Sequence, residues 1–252
     1  MQGTNDNTTQ DGKRHEHVLI VGGGSGMGRA LAERLLAAGN TVTLVGRSAD
    51  KLDRVCVELG DPAELRTVAA DVTREEDVAK LFATVGDIHH LVCTAADLTG
   101  AYAPISALDI ADAHRVIDSK IVAPLLLAKH GHTCLLPGGS ISFTSGIAAY
   151  RPSAKGSVVA SVNGAIESLV YALAVELAPI RVNAVSPGWV DTPFWDAMAG
   201  DGKEAVLDGM AKRLPVGRVG AAGDLAQVFE MVMRNTFITG TVVHADGGHR
   251  LI

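Results

Sequence analysis

The sequence predicts an α/β protein: a doubly wound, parallel, seven-stranded sheet with helices on both faces, three layers in all. Three observations carry that reading. From His17 onward, short β-branched runs alternate with helical stretches, the order expected when crossover helices join parallel strands. A glycine-rich turn, Gly22-Gly23-Gly24-Ser25-Gly26-Met27-Gly28, separates the first strand-like run from the first helix-like one. The 252 residues are 47% hydrophobic and 20% charged, enough apolar material for a core covered on both sides and too little charge for a disordered chain. A single domain over 17–252 is expected.

Taken in order, HVLIVGG from His17 is a buried first strand, and the apolar spacing from Met27 to Ala38 predicts a helix stopped by Gly39 and Asn40. TVTLVGR supplies the second strand, 65–70 the third, HHLVCTA the fourth, SISFTS the fifth, IRVNAVSPG the sixth and TGTVVHADGG a short seventh. Helices are expected over 50–58, 74–84, 111–128 and 158–177. Residues 192–214, rich in Gly, Met and Asp and without a strong period, are expected to form a lid in which Phe194, Trp195 and Met198 cover a substrate.

Several classes are disfavoured. A net charge of −6 gives no clustered basic surface for nucleic acid or acidic lipid. Cys56, Cys93 and Cys134 lack C-x-x-C spacing, which suits neither a disulfide framework nor a zinc site, so no metal is expected and a cytoplasmic location is. No apolar run is expected to span a bilayer, and residues 1–16, polar and without an apolar signal-peptide centre, read as a disordered tail.

The glycine turn lets backbone amides and a helix N-terminus approach a pyrophosphate, which side chains would obstruct. Its context of strand, turn and helix makes this a Rossmann-type dinucleotide site. Gly22-x-x-x-Gly26-x-Gly28 resembles the glycine motif of short-chain dehydrogenases/reductases. Ala70-Asp71-Val72, Arg181-Val182-Asn183-Ala184-Val185-Ser186-Pro187-Gly188, and Thr239-Gly240 with Asp246-Gly247-Gly248 resemble that family's later landmarks, in the same order. The resemblance spans nearly all of 17–252. It implies that Gly22, Gly24, Ser25, Gly26, Met27 and Gly28 cradle the pyrophosphate, that Asp71 and Val72 hold the adenine, and that Thr94, Ala95 and Ala96 line the adenosine pocket. Cys93-Thr94-Ala95-Ala96 departs from the family's Asn-Asn-Ala-Gly at this place. Pro187, Gly188, Val190 and Thr192 match the segment beside the nicotinamide. At the end of the second strand, Arg47 and Ser48 stand where an acid would accept the ribose 2′-hydroxyl of NAD. A guanidinium and a hydroxyl suit a 2′-phosphate, so NADP(H) is expected over NAD(H).

The family's Asn-Ser-Tyr-Lys set is absent. The Tyr-x-x-x-Lys positions fall on Val159-Ala160-Ser161-Val162-Asn163, the Ser position on Gly146, or on Ser145 if the loop is shifted by one residue, and the Asn position on Lys120. Candidate catalytic residues are therefore Ser145, to polarise a substrate oxygen, Asn163 at the Lys position, Lys120, to restore from another helix the charge Asn163 lacks, and Tyr150 as proton donor. Asp97 and His114 are further candidates. Tyr150 and Lys155 cannot be a displaced pair on one helix face, because Pro152 lies between them.

Three functions fit. One is an NADP(H)-dependent oxidoreductase of atypical mechanism acting on a carbonyl, quinone or imine, since hydride transfer needs only near-attack geometry and some substrates need little protonation. The others are a non-catalytic NADP(H)-binding sensor or partner subunit, and a non-redox lyase, isomerase or cyclase on the same fold. The resemblance also implies a homodimer or homotetramer formed through the long helices 111–128 and 158–177.

Overall fold

The computed structural model describes residues 15–252. The expected tail therefore lies outside the described residues except at its end, where the Glu16 amide already donates to Asn40 Oδ1 at 3.2 Å.

The sheet is parallel and seven-stranded. Its strands are β1 (His17–Val21), β2 (Thr41–Gly46), β3 (Leu65–Ala69), β4 (Ile88–Cys93), β5 (Leu135–Thr144), β6 (Arg181–Pro187) and the last strand, Val242–Ala245. They lie in the order β3-β2-β1-β4-β5-β6 followed by the last strand. The order reverses between β1 and β4. In open parallel sheets that switch point opens a crevice at the carboxyl ends of the strands, which is where ligands bind.

Two apolar cores, one on each face, follow from the all-buried strands. On one side α1 (Gly26–Ala37) and α2 (Ala49–Glu58) pack on Val18, Ile20, Val42 and Leu44. On the other, α3 (Glu75–Val85), α5 (Ala123–Gly131), which continues the helix α4 (Ile110–Ile117), and α6 (Ser157–Glu176) cover Leu19, Leu91, Ile141 and Phe143. This is the expected three-layer architecture.

Four expectations are corrected. The helix predicted over 111–128 is two α-helical pieces joined by a π-helical turn, Asp118–Val122. The extra residue turns consecutive side chains Ser119 and Lys120 inward together, with 8% and 6% exposure, where a regular helix would place neighbours about 100° apart. The lid contains a strand β7 (Val190–Asp191) and the short helices α7 (Phe194–Ala199) and α8 (Lys203–Ala211). Beyond a strand β8 (Gly220–Ala221) that pairs with β7 lies α9 (Ala222–Arg234), a helix the sequence reading omitted, followed by the last strand, β9. Finally, α6 is long and apolar enough by composition to cross a membrane. In the fold it lies along the sheet, burying Val159, Val162, Ile166, Val170 and Leu173.

The carboxyl end of α9 is held by Arg181 at the start of β6. Its buried guanidinium donates to the carbonyls of Val232 (2.9 Å), Asn235 (3.0 Å) and Ile238 (3.2 Å), and to that of Met233. These are carbonyls at and beyond the helix end, which the helix itself cannot satisfy. Replacing Arg181 with Met keeps the packing volume and strands those acceptors. Urea unfolding of this variant should show a loss of about 3 kcal/mol; a loss below about 1 kcal/mol would mean that water replaces the guanidinium.

Candidate active site

The glycine turn follows β1 and opens α1. Gly22 has φ +89, and a Cβ there would come within 2.6 Å of the Ala95 amide nitrogen. A Cβ on Gly28 would meet the Gly22 carbonyl oxygen at 2.5 Å and Thr94 Oγ1 at 2.6 Å. Both positions therefore admit only glycine. Gly24, by contrast, has open space around it, and Ser25, at the N-cap of α1, makes no side-chain bond to the helix amides. The first-turn N–H groups of α1 are thus free to meet an anion.

Around this turn the structure gathers most of the residues assigned to the cofactor. Thr94 donates to the carbonyls of Val21 (3.2 Å) and Gly22 (3.3 Å), pinning the loop after β4 to the glycine turn. Asp71 Oδ1 accepts from the Thr73 amide (3.0 Å) and hydroxyl (2.7 Å), which shapes the loop after β3, while Val72 is buried beneath it. Thr192 lies against Gly26, whose added Cβ would sit 3.5 Å from it, and so joins the segment after β6 to the turn. Pro187 ends β6, Val190 is buried, and a Cβ on Gly188 would collide with the Asp246 backbone at 2.6 Å. Met27 packs on the α1 core and Ala96 is exposed at the mouth. Ser48 caps α2, accepting from the Lys51 amide at 3.3 Å, and Arg47 extends into solvent with one contact, Asp97.

The catalytic half is rebuilt. Val159, at the Tyr position, is sealed in an apolar cluster with Ala101, Val116 and Val162. Asn163, at the position matched to the Lys, is 4% exposed, and its Oδ1 has no hydrogen-bond partner among the described residues. Its amide lies where the Ser side chain would be: a Cβ on Gly146 would meet Asn163 Nδ2 at 2.7 Å. Ser145 points elsewhere. Its hydroxyl donates to Glu167 Oε1 (2.8 Å), and the Tyr150 hydroxyl donates to Glu167 Oε2 (2.6 Å). Burial and that carboxylate push the Tyr150 phenol well above its ordinary pKa, so it is a poor acid. The ring meets His244 edge-on at 4.6 Å. The geometry thus gives both Ser145 and Tyr150 a shared partner that the sequence reading missed, Glu167.

Lys120 is buried and donates from Nζ to the carbonyls of Thr144 (2.6 Å) and Ser145 (3.3 Å). Burial lowers its pKa to about 8 and the nearby Cys93 opposes that shift; burial in turn raises the Cys93 thiol to about 11. The charge therefore sits at the end of β5, beside a cavity of about 10 Å³ bounded by Cys93, Ser119 and Phe143. His114 is exposed on α4.

A second residue that the sequence reading passed over is Tyr102. It packs against the Val159 cluster, and its ring lies 6.5 Å from Phe194. Phe194 meets Trp195 edge-on at 5.2 Å, and Trp195 stacks on Trp189 at 4.3 Å. Trp195 Nε1 donates to the Val190 carbonyl (3.0 Å), and Lys203 bridges Asp191 and Asp196 at 2.8 Å each, so the lid helices are tied to β7. With only three tyrosines in the chain, testing each against the loops around the nicotinamide would have found Tyr102.

Comparison with known proteins agrees with this geometry. Residues 22–250 match the family model described as enoyl-(acyl carrier protein) reductase. The short-chain dehydrogenase/reductase malC of Malbranchea aurantiaca is 33% identical over 255 residues, covering 95% of this chain and 96% of malC. The structure of MalC reductase/Diels-Alderase from that organism superposes with a TM-score of 0.86 at 32% identity, over 95% of this chain and 97% of MalC. A small-chain dehydrogenase solved in complex with NADPH is 35% identical, with a TM-score of 0.80 over 94% of this chain and all of the other. The chain belongs to the short-chain dehydrogenase/reductase family. It is an enzyme of the oxidoreductase class, on a scaffold that holds a nicotinamide cofactor.

Two measurements test the rebuilt site. Between pH 8 and 10.5 the unfolded chain keeps a Lys120 proton that the folded chain has released, so unfolding free energy rises with pH through that window. The stability of the native protein relative to Lys120→Met should therefore increase from pH 8 towards pH 10 by up to about 3 kcal/mol and stay flat below pH 7; a difference flat throughout would mean that the amine is solvated. Tyr150→Phe should cost about 1–2 kcal/mol in urea unfolding through loss of a bond to a carboxylate, with cofactor affinity unchanged. A variant of native stability would show that this bond contributes nothing.

Proposed function

We propose that the protein is an NADP(H)-dependent oxidoreductase that moves a hydride to or from a flat, apolar carbonyl, quinone or imine whose reduction needs no tyrosine proton. One observation carries the reading: the glycine turn is packed for close backbone approach while the position matched to the tyrosine is a buried valine, Val159. The bound nicotinamide would supply or accept the hydride. The glycine turn and the free amides of α1 would hold the pyrophosphate, Asp71, Val72, Thr94 and Ala95 the adenosine, and Asn163 Oδ1, a buried acceptor without a donor, a ribose hydroxyl. Arg47, which stands at the end of β2 in place of an acid and pairs with Asp97 from the loop after β4, favours a 2′-phosphate. Tyr102, Trp189, Phe194 and Trp195 exclude water and present aromatic faces to a planar substrate. The relative solved with NADPH supports the cofactor assignment.

A non-redox use of the same cleft is the second reading. It is favoured by the likeness to a protein titled reductase/Diels-Alderase, because bringing two carbons together in an aromatic-walled cleft requires no proton relay. For either reaction we also propose self-association along the exposed apolar side chains Ile110, Ile117 and Leu125 of α4 and α5 and Tyr171 and Val175 of α6.

Calorimetric titration with NADPH and NADH at one salt concentration is the first test. Arg47→Ala should weaken NADPH about 10- to 100-fold and NADH hardly at all. NADPH consumption should then follow with ortho-quinones or cyclic imines. Tight NADPH binding without consumption across such a panel would favour the non-redox reading.

A further inference from the structure

We infer that Asp97 is a determinant of cofactor choice: its carboxylate opposes the 2′-phosphate that Arg47 attracts, so that the NADP(H) preference is set by the pair and is smaller than Arg47 alone would give. The inference rests on the NADP(H) reading above.

Arg47 follows β2 and Asp97 follows β4, and the sheet order places β1 between these two strands. The ion pair, Arg47 Nη1 to Asp97 Oδ2 at 3.3 Å, therefore crosses the carboxyl end of β1, over the edge of the groove that begins at the glycine turn. Its two partners differ in freedom. The Arg47 side chain is 65% exposed and that of Asp97 15%. Asp97 is also anchored: Oδ1 accepts from the Thr99 amide at 3.2 Å, its own amide donates to Ser119 Oγ at 3.0 Å, and Ser119 Oγ lies 3.3 Å from its carbonyl. Ser119 is itself fixed by the π-helical turn. The guanidinium can swing to a ligand and the carboxylate cannot withdraw.

Although burial raises the Asp97 pKa, the Thr99 hydrogen bonds and the Arg47 charge outweigh it and hold the carboxyl below the usual range. Asp97 is therefore anionic at neutral pH. A fixed anion beside the phosphate seat acts differently on the two cofactors. NADP(H) brings a dianion that must displace Asp97 from Arg47 and then remain close to it in a partly desolvated groove, where like charges repel over several ångströms. NAD(H) brings a neutral hydroxyl, which can donate to a carboxylate and breaks nothing. This loop thus supplies the acid that the end of β2 lacks, from the other side of β1.

Asp97→Asn removes the charge, while its amide oxygen can still accept from Thr99. Calorimetry with NADPH and NADH on native protein, Asp97→Asn, Asp97→Ala and Arg47→Ala, at 50 and 300 mM salt, decides the matter. Asp97→Asn should tighten NADPH about 3- to 10-fold at the lower salt, leave NADH equal or weaker, and show a smaller gain at the higher salt, where the charge is screened. Asp97→Ala should repeat the NADPH gain, which guards against one misfolded variant. Unchanged or weaker NADPH binding in Asp97→Asn would overturn the inference, the weaker case meaning that Asp97 positions Arg47. Arg47→Ala tests the underlying reading separately: native NADPH affinity in that variant, or no NADPH binding in any protein, would remove the NADP(H) assignment itself.

Discussion

The contact on which the molecule depends is the closure of backbone on backbone among Gly22, Gly28 and the Thr94–Ala95 loop. Added Cβ atoms at the two glycines would come within 2.5–2.6 Å of backbone atoms, so no rotamer change could relieve the clash. Because the contact holds, α1 starts close above β1 and aims its free amides into the groove, and the loop after β4 is pulled onto the glycine turn by the Thr94 hydroxyl. The glycine-turn end of the cofactor half is thus a property of main chain.

The catalytic half is a property of side chains, and here the residues at the four positions matched to the family's set fit one another. Gly146 leaves room that Asn163 occupies; a serine at 146 would meet the Asn163 amide. Asn163 in turn cannot carry the lysine charge, and the buried cation lies instead on Lys120, turned inward by the π-helical segment to bind the Thr144 and Ser145 carbonyls. Val159 completes the set, making the proton-donor position part of an apolar cluster with Ala101 and Val116. Each residue fits the packing made by the others. The site is an alternative arrangement, well packed in its own terms, rather than an ordinary one with pieces missing.

Much of the fold was legible because parallel strands buried on both faces must be continuous apolar runs: HVLIV and TVTLVG appear as strands on that ground alone. The glycine turn was legible because its constraint is local. What escaped depended on longer-range information. The helix α9 does have a periodic face, Leu225, Ala226, Phe229, Val232 and Met233, but it follows a Gly-rich stretch and was passed over. The π-helical turn is invisible to a 3.6-residue period, so Lys120 could be matched to a family position but its target, two carbonyls of β5, could not be read. Glu167 was overlooked because an acid on an apolar helix carries no motif; its meaning comes from Ser145 and Tyr150, distant in sequence and joined only by the fold.

The division between a backbone-defined cradle and a side-chain-defined reaction wall explains how one scaffold can keep its cofactor and change its chemistry. Nothing in the Gly22, Gly28 and Thr94 contact involves Val159, Asn163 or Tyr102, so the wall can differ without disturbing the glycine turn. The reverse constraint is stronger. In the function proposed above, a site without that tyrosine and lysine would act through orientation and desolvation, and both would require a shaped and dry enclosure. Tyr102, Phe194, Trp195 and Trp189 form a chain of ring contacts on a lid tied down through Lys203 and the Val190 carbonyl, and in the proposed function they would form it. Four of the ten aromatic residues in the chain take part in this run of contacts, as the proposed function, holding a substrate rather than moving its protons, would require.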